Sequence, residues 1–141
     1  MEDRANKFLA DCPRTILYSS EEFKDIGFII RSAIDTELQF RDVLCNVDGR
    51  DYIYENDTCS DDCFGYKQMV WAKSTEVGCA KQKCPLSDGS KAYLSLLMCF
   101  YTPGDVHQAG RPYEQGSSCS KCSQGSGCMQ NQCNAKISSR S

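Results

Sequence analysis

Four cysteines fall together near the C-terminus in "CSKCSQGSGCMQNQC", Cys119, Cys122, Cys128 and Cys133. The spacing C-x2-C-x5-C-x4-C would let four thiolates hold a tetrahedral zinc ion, or let the same residues close two short disulfides. Seven further cysteines decide between these readings: Cys12, Cys45, Cys59, Cys63, Cys79, Cys84 and Cys99. Eleven thiols in 141 residues would be a hazard in a reducing cytosol. The chain therefore reads as a disulfide framework from an oxidising compartment. "NDT", Asn56 to Thr58, is an N-glycosylation acceptor that makes Asn56 a candidate glycan site and agrees with secretion. The cysteine count is odd, so one thiol is free or bonds another chain, and the sequence leaves its identity open.

Other chemistry has few carriers. The single histidine, His107, lies in "GDVHQAGRPY", and any Cys–His or Ser–His pair would have to use it. Nothing beside it resembles a nucleophile motif, so it reads as an exposed loop histidine. The carboxylates of "NDTCSDDC" sit in a polar stretch with no buried partner in view. No catalytic residue and no cofactor is expected. The formal net charge is −3 with Lys and Arg scattered, so no basic stripe marks a nucleic-acid groove. No apolar run approaches the roughly 18 residues that cross a bilayer. "MEDRANKFLADC" has no apolar h-region. The expectation is a secreted protein whose signal peptide is not in this chain, either removed or lying upstream in a longer precursor.

The elements that must position these residues follow from pattern. Ala5, Phe8, Leu9 and Cys12 form one apolar stripe, which predicts a helix over 2–12 that Pro13 ends. "SSEEFKDIGFIIRSAIDTELQF" predicts a second helix, with Ser19 and Glu22 as a capping box and Phe23, Ile26, Ile30, Ala33, Ile34 and Leu38 on its inner face. Residues 42–64 read as a surface loop tied by disulfides, with "DYIY" as a short strand. "KQMVWA" and "EVGCA" are candidate neighbouring strands, and "AYLSLLMCFY" is a buried strand after the turn "PLSDGSK". From Glu114 the chain is rich in Ser, Gly and Gln and cannot bury enough apolar surface to order itself, so its four cysteines must supply the constraint. This divides the chain into 1–113 and a cysteine-rich tail, 114–141.

"GYKQMVWAKSTEVGCAKQKC" resembles the first signature of the CAP superfamily: cysteine-rich secretory proteins, antigen 5 and plant pathogenesis-related proteins. "LLMCFYTPGDVHQAGRPYEQG" resembles the second. The matched positions are Tyr66, Gln68, Trp71, Gly78, Cys79, Tyr101, Pro103 and Gly104. "EDRANKFLADC" is similar to the family's second helix and "AIDTELQF" to a later one, and the tail is similar to the hinge that often follows the domain. The combination resembles most the venom-allergen-like, activation-associated secreted proteins of parasitic nematodes. Membership implies an α+β fold, an α-β-α sandwich around an antiparallel sheet. It also implies disulfides, here Cys84–Cys99, Cys119–Cys128 and Cys122–Cys133.

The departures from the family carry functional weight. Its cleft holds two histidines and two glutamates that bind a divalent metal. One histidine position is Gly65 here, and the other lies on a first helix that the resemblance implies is missing. The glutamate of the family's Gly-Glu-Asn motif has no counterpart in "RTILYSS". No metal is therefore expected at Gly65. Loss of a first helix would expose apolar surface, which leaves three expectations open: a sequence fragment, an unstable isoform or a dimer that covers the gap. The resulting expectation is a secreted, non-enzymatic protein that binds a host protein or cell-surface receptor and modulates immunity. The alternative is a carrier of sterol or fatty acid.

Overall fold

A strand that is apolar on both sides must be covered on both faces. The computed structural model describes residues 1–16, 21–104 and 110–134, with the backbone alone for Glu22. In chain order its elements are α1 (Glu2–Ala10), a 3-10 turn (Glu21–Phe23), β1 (Gly27–Ile34), α2 (Phe40–Leu44), β2 (Tyr52–Ile53), β3 (Thr58–Cys59), α3 (Phe64–Met69), β4 (Glu76–Pro85), β5 (Tyr93–Thr102), β6 (Gly127–Met129) and β7 (Gln132–Asn134). The main sheet is antiparallel with strand order β1-β5-β4. Its central strand β5 is buried without a break from Ser95 to Tyr101.

Side chains alternate across the sheet and feed two cores. On one face Ala80, Cys84, Leu96, Met98 and Phe100 pack against Ala5 and Leu9 of α1 and against Phe23 and Ile26. On the other, Ile29, Leu97, Cys99 and Tyr101 meet Val43 of α2, with Leu38, Leu44, Val47 and Met69 around them. Gly78 makes the first contact possible. A Cβ there would stand 2.1 Å from the backbone nitrogen of Glu2, so the start of α1 lies directly on β4.

Two predicted elements differ in type. The stretch expected as a helix from Ser19 to Phe40 is instead the 3-10 turn followed by strand β1. Ile26, Ile30 and Ile34 match a helical period, but Phe28, Ile29 and Ile30 are β-formers beside β5, and tertiary pairing overrides the weaker local signal. Asp25, with φ of 56°, turns the chain into the strand. "AIDTELQF", read as helical, ends β1, bends at Asp35 and carries no regular structure to Gln39 before α2 begins. Of the proposed capping box, Ser19 and the side chain of Glu22 lie outside the described residues. "KQMVWA", expected as a strand, instead forms the second half of α3 and the residues just after it, where the Lys67 amide donates to Cys63 O at 2.9 Å and the Val70 amide to Tyr66 O at 3.1 Å.

The disulfides follow from which face each cysteine occupies. Cys84 does not pair with Cys99. Cys79 stands opposite Cys99 in register, and these two are bonded with Cα atoms 4.0 Å apart. Cys84 lies an odd number of positions along β4 from Cys79 and so turns to the opposite face. There it joins Cys12, just beyond α1, with Cα atoms 5.7 Å apart. Cys59–Cys63 closes a small loop before α3, and the exposed Cys45 is the unpaired cysteine. In the tail, Cys119–Cys128 and Cys122–Cys133 hold the β6–β7 hairpin, whose own residues are almost all exposed. All four tail sulfurs are thus in disulfides rather than around a metal.

Cys12–Cys84 spans a sequence separation of 72, and chain-entropy arguments give such a long loop about 4 kcal/mol of stabilisation. Replacing both residues by Ala should lower the urea-unfolding free energy by about that amount. Replacing Cys119 and Cys128 should leave the unfolding midpoint of the sheet nearly unchanged while exposing the tail to limited proteolysis.

Candidate functional site

Two of the signature residues, Gln68 and Gly104, meet at one close contact. Gln68, on α3, is fully buried, and its amide lies against the backbone of Gly27 at the start of β1. A Cβ at Gly27 would fall 1.5 Å from Gln68 Oε1. From the other side, Gly104 stacks on the same glycine, where its own Cβ would be 2.0 Å from Gly27 N. The Gly104 amide donates to Asp25 O at 2.9 Å. Gln68 Nε2 reaches Ser74 Oγ at 3.5 Å, and Ser74 Oγ donates to Pro103 O at 2.8 Å. Trp71, 8% exposed, follows α3 with its amide directed at Gln68 O. Gln68, Trp71, Pro103 and Gly104 therefore tie α3 to the ends of β1 and β5. Gly78 and Cys79 serve the sheet on β4, and Tyr101 is buried in its second core.

Tyr66 leads to a different feature. Tyr52, Tyr54, Tyr66 and Tyr113 form one aromatic cluster, with Tyr54 and Tyr113 stacked at 5.4 Å and the tilted rings of Tyr52 and Tyr66 5.8 Å apart. The hydroxyls of Tyr66 and Tyr113 are 3.3 Å apart. That hydrogen bond, with burial, pushes the Tyr113 phenol up to about 12. Beneath the cluster is an ion pair, Lys67 Nζ to Asp57 Oδ1 at 2.9 Å, and the Tyr52 hydroxyl donates to the same oxygen at 2.9 Å. Lys67 is 5% exposed. Its ammonium, then the Tyr52 hydroxyl, hold the Asp57 carboxyl below its ordinary range. Burial, then the bond to Asp57, pushes the Tyr52 phenol up to about 12.

Arg111 fastens the next segment to this cluster. Its Nε donates to Tyr54 O at 2.9 Å and its Nη2 to Glu55 O at 2.7 Å, with the guanidinium over the Tyr54 ring. The Ala72 amide donates to Pro112 O at 2.7 Å, and the Gln115 amide to the Tyr54 hydroxyl at 3.1 Å. The tail is thereby held facing the cluster, and a groove of about 840 Å³ opens between them. Tyr54, Trp71, Lys73, Arg111 and Tyr113 form one side, and residues from Ser117 to Lys121 with Asn131 form the other. Asn56 is exposed on the turn joining β2 to β3, beside Tyr54, with Thr58 Oγ1 donating to its Oδ1 at 2.8 Å.

Tyr52, Asp57, Lys67, Arg111 and Tyr113 carry this site, and the sequence reading did not single them out. One signal was available for the first of them: Tyr52 and Tyr54 are two apart on a strand, which places both rings on one face. His107 lies outside the described residues. Gly65 stands near a cation, since a Cβ there would be 3.5 Å from Arg31 Nη2. Among the described residues no group of three or more His, Cys, Asp or Glu is placed to share a metal ion. A glycine without a donor, facing a guanidinium, does not fit the divalent metal of the family's cleft.

Two outcomes test this construction. Gly27→Ala forces Gln68 from a filled site and should cost about 1–3 kcal/mol in urea unfolding, as overpacked cores do. Asp57 ionises below the ordinary aspartate value of 3.8 in the folded chain. Its pairing therefore stabilises the fold above that value and is lost as pH falls through the lowered one. Stability should drop as pH falls below the ordinary aspartate value of 3.8, and Asp57→Asn should flatten that part of the profile.

No protein-family model matches the chain. It is 39% identical to mouse GLIPR1-like protein 1 over 90 residues, 62% of this chain and 37% of that protein. It is 37% identical to human peptidase inhibitor 16 over 79 residues, 54% of this chain and 17% of that protein. The chain thus spans about a third or less of the length of these curated relatives. Among solved structures it resembles venom allergen-like protein 4 of Schistosoma mansoni, with a TM-score of 0.61, 27% identity and coverage of 82% of this chain and 70% of that one. It shares its fold with Na-ASP-1, with a TM-score of 0.70, 18% identity and coverage of 94% and 36%. Likeness in sequence to the first pair and in fold to the second agrees with the resemblance to the CAP superfamily.

Proposed function

We propose that the chain works outside the cell as a non-enzymatic binding protein that recognises a protein partner through the groove between the tyrosine cluster and the tail. The groove itself carries this reading. Its aromatic wall is fixed by Arg111 and by the Lys67–Asp57 pair, so little ordering remains to be done on binding. Tyrosine, tryptophan and arginine are the residues that most often anchor protein interfaces. Lys73 and Lys121 add exposed charge at the rim. Five disulfides suit an oxidising, extracellular setting. The fold likeness to the Schistosoma mansoni venom allergen-like protein motivates a parasite product and a partner on host immune cells.

A carrier of sterol or fatty acid needs a mostly apolar cavity. Ser117, Ser118, Ser120, Lys121 and Asn131 make one wall of this groove polar, which favours the protein partner.

The test is saturable binding of the disulfide-intact protein to immune-cell surfaces, with Lys73→Glu and Lys121→Glu combined as the variant. Reversing rim charge should slow association and leave dissociation little changed. No saturable binding by the parent protein, or equal rates for the variant, would count against the groove. Saturable uptake of cholesterol or palmitate by the parent protein would favour the carrier instead.

A further inference from the structure

A second concavity lies towards the far end of β4. Glu37 and Leu38, in the segment after β1, enclose about 270 Å³ with Lys81, Lys83, Ser95 and Leu96. Lys81 and Lys83 are two apart on β4 and so share a face, opposite Leu97 and Ser95 in register. Both ammonium groups converge on one carboxylate. Lys81 Nζ donates to Glu37 Oε1 at 3.0 Å and Lys83 Nζ to Glu37 Oε2 at 3.1 Å. Lys83 is also held over the Tyr93 ring, 4.9 Å from its centre. Ser95 is 3% exposed and lines the hollow, and its Oγ has no hydrogen-bond partner among the described residues. Buried hydroxyls nearly always have one. The local charge is +1, two ammonium groups against one carboxylate, in a chain whose net charge is −3.

We propose that this hollow is an anion site in which the Glu37 carboxylate is a resident, displaceable ligand, and that its incoming ligand is a tetrahedral oxyanion, a sulfate or phosphate group. A planar carboxylate offers two oxygens, and both are used on the lysines. Ser95 Oγ is left a donor without an acceptor. A tetrahedral oxyanion offers a further oxygen to Ser95 while meeting both ammonium groups. Displacing Glu37 costs little, because its ion pairs are half-exposed and such pairs are weak. The two lysines, first through their hydrogen bonds, hold the Glu37 carboxyl below its ordinary range, in keeping with a position that favours negative charge.

The experiment titrates the full, disulfide-intact chain with sodium sulfate at constant ionic strength, balanced with sodium chloride, and follows backbone amide shifts by NMR. Saturable shifts confined to residues around 81–83 and 95 are expected, and sodium phosphate should compete for the same residues. Glu37→Gln removes the resident competitor and should tighten sulfate binding about tenfold. Lys83→Ala should abolish it, and Ser95→Ala should weaken it. Shifts that track chloride equally well would overturn the site. So would unchanged affinity in Glu37→Gln or Lys83→Ala. None of these variants touches the groove at the tyrosine cluster, so failure here leaves the proposed function standing.

Discussion

Burial of β5 on both faces is the constraint on which the rest of the structure depends. Seven consecutive residues of that strand are shielded, Ser95 to Tyr101. Neither cover is large. One is a nine-residue helix, and the other is α2, of five residues, with the loops around it. Helices this short are marginal by themselves and owe their persistence to packing. Each face of the sheet also carries a disulfide. Cys12–Cys84 fastens the end of α1 to β4, and Cys79–Cys99 links β4 to β5 on the opposite face. Covalent links remove conformational freedom from the unfolded chain where apolar burial alone would leave a small margin.

The same logic sorts what could be read from the sequence. The β4–β5 hairpin was legible, because "AYLSLLMCFY" is a strand-length apolar run preceded by Asp88-Gly89 turn chemistry. α1 was legible from one stripe of four residues. β1 was not, because "GFIIRSAI" can be laid on a 3.6 or a 2.0 period, and only its pairing with β5 decides. α3 was obscured by Met69, Val70 and Trp71, whose bulk suggested a strand. Its helical form comes from packing Gln68 onto Gly27, a contact between positions far apart in sequence. The pairing of Cys84 turned on strand parity: given the register of β4 on β5, Cys79 and not Cys84 faces Cys99. The groove is harder still to read, since it joins residues from 52 to 133 that share no local pattern.

The Lys67–Asp57 pair shows how the groove is made rigid in a region with little regular structure. β2 and β3 are two residues each, too short to hold a turn in place. A paired charge beneath the tyrosines fixes both the turn and α3, because breaking a buried pair strands the remaining charge. The rings of Tyr52, Tyr54, Tyr66 and Tyr113 then pack together on a fixed base. Arg111, by bonding two backbone carbonyls of that turn, carries the rigidity on to the tail.

Scaffold and recognition are separable in this molecule, and its glycines make the case. Gly27 and Gly104 cannot accept a side chain without displacing backbone or the fully buried Gln68. They are demanded by the fold. Gly65 meets nothing closer than 3.5 Å from where a Cβ would stand, an ordinary contact, so packing does not require glycine there. Gly65 itself offers no donor to a cation, and Arg31 stands beside it. The stability of the fold rests on β5, its covers and its disulfides. The groove between the tyrosine cluster and the stapled tail is a surface that this scaffold holds steady.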